Sequence, residues 1–307
     1  MGLLSIVIPA YNEGNLIKKT AKVVSDIMQN NKIPYEIVFV NDGSKDSTWD
    51  EIMRAHEKNA NVKGVCLSRN FGKEGALFAG LEHAKGDCVA VMDADLQHPP
   101  ETLVEMYRLW EQGYEVVEGV KASRGKESIL HRAFVKVFYG VMSRSTGIDM
   151  SRASDFKLLD RKAVDTLIAM PERHIFFRAL SSWIGFRSAS VEFDVRMREE
   201  GESKWSFSSL FKYALNNISS FSTVPMQCVM LCGVITFIFS LLFGIYSLVK
   251  YFQGNSLEGF TTVIMLLLII GSVLMFSLGI IGYYIAKIYE EIKCRPRYIV
   301  RATTDKN

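Results

Sequence analysis

Two aspartates one residue apart, Asp93 and Asp95, close an apolar run in VMDADLQHPP, residues 91–100. Packing gives no reason to set paired carboxylates at the buried end of a strand; a divalent cation does. Asp-x-Asp supplies the hard oxygen ligands that Mg2+ or Mn2+ takes, and such an ion can bridge a diphosphate. Three other apolar runs also end in polar groups: PAYNE with Pro9, Tyr11 and Glu13, NDGS with Asp42, and SRNFGKE with Lys73. Asn, Asp, Gly and Ser are turn formers, so one such cluster would say little. Four at successive strand ends point to a single ligand-binding edge, because an open parallel sheet binds ligands beyond the carboxyl ends of its strands. No G-x-G-x-x-G follows the first run and there is no Walker loop. The phosphates of a nucleotide must then be held in another way, and the aspartate pair offers one.

The elements that must position these residues follow from periodicity. LLSIVIP, YEIVFVND, VKGVCLS, DCVAVMDAD and YEVVEGV read as strands, with GNLIKKTAKVVSDIMQ, KDSTWDEIMRAHEK, KEGALFAGLEHA and PETLVEMYRLWEQG as helices between them. The strands are apolar almost throughout, so both faces are covered. Alternation with helices predicts an α/β domain with a mostly parallel, Rossmann-like sheet over residues 1–165. The opening MGLLSIVIPAYNE has no basic n-region. It is expected to be the first strand, neither a signal peptide nor, through Gly2, a myristoylation site.

The chain has 307 residues, room for one or two domains. A formal charge of +3 is too small to argue for nucleic acid, no dense basic block supports that reading, and no nucleic-acid partner is expected. Five cysteines without a C-x-x-C pair argue against a disulfide framework and a zinc site. Hydrophobic residues are unevenly spread. Residues 214–249 and 259–286 carry no charge, and at about 1.5 Å per residue each can cross a bilayer. Two transmembrane helices are therefore predicted, at about 224–249 and 261–286, in a segment running over 223–289. Lys287, Lys293, Arg295, Arg297 and Arg301 follow them. By the positive-inside rule the tail, 290–307, and with it the N-terminal domain, is cytoplasmic. In 206–221, Phe207, Leu210, Phe211, Ala214, Ile218 and Phe221 recur at helical spacing, which predicts a helix lying in the membrane interface. HIFFRALSSWIGF, 174–186, reads as a second, so 166–222 is expected to be a juxtamembrane segment.

PAYNE, NDGS, SRNFGKE, DADLQ, SDFKLLDR and GESKW occur in the order and spacing of the family 2 glycosyltransferases with the GT-A fold. The chain most resembles the branch that makes polyprenyl-phosphate sugars, the dolichol-phosphate mannose synthases and bacterial bactoprenol glucosyltransferases. SFSTVP and KCRPRYIVR resemble the latter. The resemblance implies that Pro9, Tyr11, Glu13, Asp42 and Lys73 line the donor nucleotide, with Asp42 near the uracil or ribose. It implies that Asp93 and Asp95 hold Mg2+ or Mn2+ on the diphosphate, and that Gln97 contacts sugar or acceptor. His98 departs from the acidic residue often found there and is expected at the surface. Asp155 matches the family position credited with base or acceptor-orienting work. Arg124, Arg132, Arg198 and Lys204, the last two in an acceptor loop within 166–222, are candidates for the lipid phosphate.

The implied reaction moves a hexose, glucose by nearest resemblance, from a UDP-sugar to undecaprenyl phosphate at the inner face of the bacterial cytoplasmic membrane. Inversion gives a β-linked lipid phosphate. UDP-GlcNAc, UDP-Gal, GDP-mannose and a UDP-aminoarabinose derivative are alternative donors. Relatives suggest a homo-tetramer among membrane lipid. A phosphate monoester has a second pKa of about 6, so the acceptor needs alignment and cations more than a general base. Two rivals stand against this reading. A processive polysaccharide synthase would carry Q-x-x-R-W before its spans, and none is present. An inert membrane scaffold has no use for an intact acidic pair.

Overall fold

The computed structural model describes residues 2–122, 140, 154–172, 176–194, 224–253 and 259–305. They divide into two compact units, Met1–Leu210 with Arg295–Asn307, and Phe211–Cys294.

The first unit is built on one sheet. β1 (Leu4–Ala10), β2 (Tyr35–Asn41), β3 (Val62–Leu67) and β4 (Cys88–Val91) are separated by α1 (Gly14–Asn30), α2 (Thr48–Lys58) and α3 (Lys73–His83). α4 (Thr102–Glu111) leads to β5 (Val116–Lys121). Then come β6 (Lys157–Asp160), α5 (Arg161–Ala169), α6 (Phe177–Trp183) and β7 (Ser188–Phe193), and β8 (Val300–Thr303) returns from the far end of the chain. The strand order is β7-β5-β6-β4-β1-β2-β3-β8. β1 runs parallel to β2 and β4, β2 to β3, and β5 to β7. β6 is antiparallel to β4 and β5, and β8 to β3. The result is the mostly parallel, mixed sheet that was expected.

Burial explains the elements. β2 is buried at every position, as a strand covered on both faces must be. α1 buries Ile17, Thr20, Ala21, Val24 and Met28, one face at three- and four-residue steps. α3 buries everything from Gly75 to Leu81. A Cβ on Gly80 would stand 2.2 Å from Val7 Cγ1, so the absence of a side chain lets α3 settle directly on β1. The order β4-β1-β2 places the topological switch between β1 and β4, the crevice where such sheets bind ligands.

Three expectations change. The sheet does not end near 165, because β7 pairs with β5 beyond it. Residues 300–303, expected in a basic tail, form β8 against β3, with Thr304 Oγ1 accepting the Gly64 N–H at 2.9 Å. Residues 174–186 were read as lying on a membrane. The described part is α6, whose Phe177, Ala179, Leu180 and Ser181 are buried, with Phe176 just before them. Three- and four-residue spacing of apolar residues serves a protein core as well as a bilayer. The predicted interfacial helix at 206–221 lies outside the described residues.

The second unit holds α7 (Val224–Phe252) and α8 (Phe260–Ile292), 29 and 33 residues long. At about 1.5 Å per residue each exceeds the roughly 30 Å of a bilayer's hydrocarbon. Their most apolar stretches, Val229–Tyr246 and Ile269–Ile292, have none of their residues buried. By length and composition both helices can cross a membrane.

Candidate active site

The carboxyl edge of the sheet is a set of loops tied to one another. The Asn12 N–H donates to Ser44 Oγ at 2.9 Å and the Lys45 N–H to Asn12 Oδ1 at 2.9 Å. The Glu13 N–H donates to Thr48 Oγ1 at 3.0 Å, and the Gly14 N–H to Asp46 Oδ2 at 3.1 Å. These bonds fasten the end of β1, with Pro9, Tyr11 and Glu13, to the end of β2. Tyr11 is 40% exposed, an accessible ring on an otherwise fixed loop. Gly43 takes φ +63°, and a Cβ there would meet the Arg69 carbonyl carbon at 2.3 Å. Glycine is therefore required where the loops after β2 and β3 approach.

Asp42 is buried, and both its oxygens are engaged. Oδ1 accepts the Phe71 N–H at 2.7 Å and Oδ2 the Gly72 N–H at 2.9 Å. Burial raises its pKa, and the two backbone donors only partly offset that. Its carboxylate thus clamps the loop that leads into Lys73, the first residue of α3.

Lys73 is the hub. Its Nζ lies 2.7 Å from Asp93 Oδ1 and 3.1 Å from Asp155 Oδ2. Arg178, on α6, grips Asp155 with two parallel bonds, Nε to Oδ1 at 3.1 Å and Nη2 to Oδ2 at 3.0 Å. Bidentate pairing of this kind fixes direction as well as charge. Burial works against ionisation of Asp155, but Lys73 and Arg178 outweigh it and hold its pKa well below the usual range. Asp93 is lowered too, against burial, chiefly by Lys73. Burial would lower the Lys73 pKa; Asp93 and Asp155 reverse that and raise it. Glu74, next in sequence, accepts the Phe177 N–H at 2.9 Å and so ties α3 to the start of α6. Burial, with Asp155 nearby, pushes its pKa up to about 7.

The acidic loop after β4 has supports of its own. Thr20 on α1, fully buried, donates from Oγ1 to the Ala94 carbonyl between the two aspartates at 2.7 Å. Asp95 Oδ1 accepts the Gln97 N–H at 3.1 Å, and Leu96 between them takes φ +56°. His98, expected at the surface, is buried. Its ring stacks on Phe156 at 4.7 Å, and Nδ1 accepts the Asp93 N–H at 3.3 Å. A flat ring that can accept a backbone proton suits an apolar pocket under the loop.

Asp93 and Asp95 give hard oxygens on one turn, and the described residues gather no cage of three or more His, Cys, Asp or Glu. That donor set fits Mg2+ or Mn2+, which take one or two carboxylates and complete their shell with substrate phosphates and water. It does not fit an all-protein site.

Of the residues singled out from sequence, the fold brings Asp93, Lys73 and Asp155 into direct contact and puts Asp95 and Gln97 on the same turn as Asp93. Pro9, Tyr11, Glu13 and Asp42 flank them at the neighbouring strand ends. Arg124, Arg132, Arg198 and Lys204 lie outside the described residues. Sequence reasoning missed Arg178, Glu74 and Thr20. It also missed a buried support beneath Arg178. There Lys157, fully buried, bonds Glu118 Oε1, Ser182 Oγ at 2.8 Å and the Arg178 carbonyl at 3.4 Å. A signal was available for Arg178 and Lys157: each is a lone cation in an apolar stretch, and buried cations need partners.

The glycosyl transferase family 2 model matches residues 5–168. An uncharacterized glycosyltransferase of Synechocystis is 39% identical over 97% of this chain and 94% of its own length. A bactoprenol glucosyl transferase of Shigella phage SfII is 34% identical over 97% of both chains. Among solved structures, glucosyl-3-phosphoglycerate synthase of Mycobacterium tuberculosis, in complex with Mn2+ and UDP-glucose, superposes with a TM-score of 0.49 at 18% identity. It covers 71% of this chain and 77% of that one.

Proposed function

The chain belongs to glycosyl transferase family 2 and is a glycosyltransferase, and from that premise we propose that it transfers a hexose, glucose first, from a UDP-sugar to undecaprenyl phosphate. The observation that carries this reading is the extent of the likeness to bactoprenol glucosyl transferases. It runs over 97% of the chain, both apolar helices included.

The donor's uridine lies against Pro9, Tyr11, Glu13 and Asp42, on loops whose cross-bonds keep the pocket shaped before the ligand arrives. Asp93 and Asp95 hold Mg2+ or Mn2+, which when bound neutralises charge on the leaving diphosphate. Gln97, held on the same turn, faces sugar or acceptor. Asp155 orients the acceptor and takes no proton from it. With Lys73 on one side and Arg178 bonded along its other edge, it stays ionised and is a weak base. The acceptor has little need of one, since a phosphate monoester with a second pKa of about 6 is largely dianionic at neutral pH. Arg124, Arg132, Arg198 and Lys204 gather the lipid phosphate. One displacement at the anomeric carbon inverts an α-linked donor to a β-linked product.

The helices α7 and α8 cross the bacterial cytoplasmic membrane. Two crossings return the chain to the side it left, in agreement with β8 rejoining the sheet of the first unit. The basic residues after α8 put that side in the cytoplasm, where nucleotide sugars are. The enzyme acts as a homo-oligomer, a tetramer by analogy with relatives.

The test is a donor panel. Full-length enzyme in detergent is incubated with undecaprenyl phosphate and, in turn, labelled UDP-glucose, UDP-galactose, UDP-GlcNAc, UDP-aminoarabinose and GDP-mannose. Label entering the organic phase from UDP-glucose above all is the expected result. Label from another donor corrects the sugar, and none from any donor refutes transfer to lipid phosphate.

A further inference from the structure

We propose that Lys73 is a placeholder cation: its ammonium occupies Asp93 in the nucleotide-free enzyme, keeps a divalent ion from settling there alone, and gives up the carboxylate only when the ion arrives with the donor's diphosphate. The inference rests on the reading of Asp93 and Asp95 as metal ligands given above.

The geometry sets up a competition. Lys73 Nζ is 2.7 Å from Asp93 Oδ1, a full charge-assisted hydrogen bond. A Mg2+ ion bonds a carboxylate oxygen at about 2.0–2.1 Å. Both cations on that carboxylate would stand within a few ångström of each other and repel. One must leave unless new anionic oxygens come between them, and a nucleoside diphosphate supplies those.

The same geometry lets the ammonium leave. Its second partner, Asp155 Oδ2 at 3.1 Å, is itself held by Arg178, so releasing Asp93 does not strand the charge. The base of the side chain is fixed, because Asp42 clamps the Phe71 and Gly72 N–H groups just before it. The side chain above that base is 41% exposed and so has room to turn toward an incoming anion. Lys73 thereby adds to the coupling that direct metal–diphosphate bonds already give, and such coupling is reciprocal: each ligand improves the other's affinity by the same factor. The consequence is an enzyme that takes up little metal when empty and keeps Asp93 paired with a cation meanwhile.

The experiment measures Mn2+ binding to the full chain in detergent by electron paramagnetic resonance, without nucleotide and with UDP. In wild type, Mn2+ alone should bind weakly and UDP should tighten it. Lys73→Met should bind Mn2+ alone about tenfold more tightly or better, because an adjacent positive charge is gone. The same variant should show an enhancement by UDP that is smaller by about the factor gained without UDP, since only the direct bonds between ion and diphosphate remain. Lys73→Arg, which keeps the charge, should resemble wild type. A residue of merely structural importance would weaken both measurements together. Unchanged or weaker binding of Mn2+ alone by a folded Lys73→Met overturns the proposal; Lys73→Gln gives the same readout if Met impairs folding. Asp93→Ala separates the two levels. If it binds Mn2+ with UDP as wild type does, the metal assignment fails and this inference with it. If it loses the ion while Lys73→Met gains nothing, the placeholder role alone fails.

Discussion

Asp42 and Asp155 are both largely buried carboxylates at the same sheet edge, yet they are set in opposite electrostatic states. Asp42, after β2, has two backbone N–H donors as its close partners, and burial prevails: its pKa is raised. Asp155, before β6, faces Lys73 and Arg178, and burial loses: its pKa is driven down. Neutral dipoles hold a carboxylate in place, but full charges keep it ionised. The first suits a loop clamp, and the second a fixed anion held between two cations.

Asp93→Ala removes a proposed metal ligand and should cut turnover by about 10³-fold or more, with the melting temperature close to wild type. Activity surviving in that variant would dissolve the site. Arg178→Ala frees one edge of Asp155 and should lower kcat by about 10²-fold through misalignment, more than it raises the donor KM. Asp155→Asn should lower the rate about tenfold or more, by the same factor at every pH from about 6 to 9, because the carboxylate is ionised throughout and acts by position. A rate near wild type would remove Asp155 from any role, and a displaced acidic limb would make it a base.

Stability against pH separates the pair more finely. Asp155, with its folded pKa depressed, contributes stability above its unfolded pKa of about 4, and loses it as pH falls toward the folded value. Asp42, with its folded pKa raised, contributes in the opposite sense: stability present below about pH 4 is eroded as pH rises. Denaturant titrations of the two Asp→Asn variants should therefore diverge, the cost of Asp155→Asn growing with pH and that of Asp42→Asn, about 1 kcal/mol at low pH, shrinking. Glu74, with a folded pKa of about 7, behaves like Asp42. Between pH 5 and 8 the wild type should lose about 2–3 kcal/mol that Glu74→Gln does not. Thr20→Val, which drops only the bond to the Ala94 carbonyl, should cost about 1 kcal/mol.

Much of this was legible in the sequence because it is written locally. Apolar runs of strand length, helix faces with regular steps and four polar strand ends give the sheet and the edge where its polar loops meet. Asp93, Asp95 and Asp42 stood out because each follows closely on a strand, and Lys73 because it closes the polar loop after β3. Arg178 did not, because it is brought to Asp155 by α6 packing into the core, and its apolar neighbours read equally well as a membrane face. His98 was misplaced for a related reason: nothing next to it in the chain shows the Phe156 ring on which it stacks. β8 was hidden in a basic tail, since pairing with β3 is a contact across more than 200 residues.

The most direct test is a crystal of the full chain grown with Mn2+ and UDP, with the ion located by anomalous scattering. The account predicts manganese bonded to carboxylate oxygens of Asp93 and Asp95 and to the diphosphate, with the Lys73 ammonium off Asp93. An ion bound elsewhere, or UDP bound with no ion at the acidic turn, would contradict it.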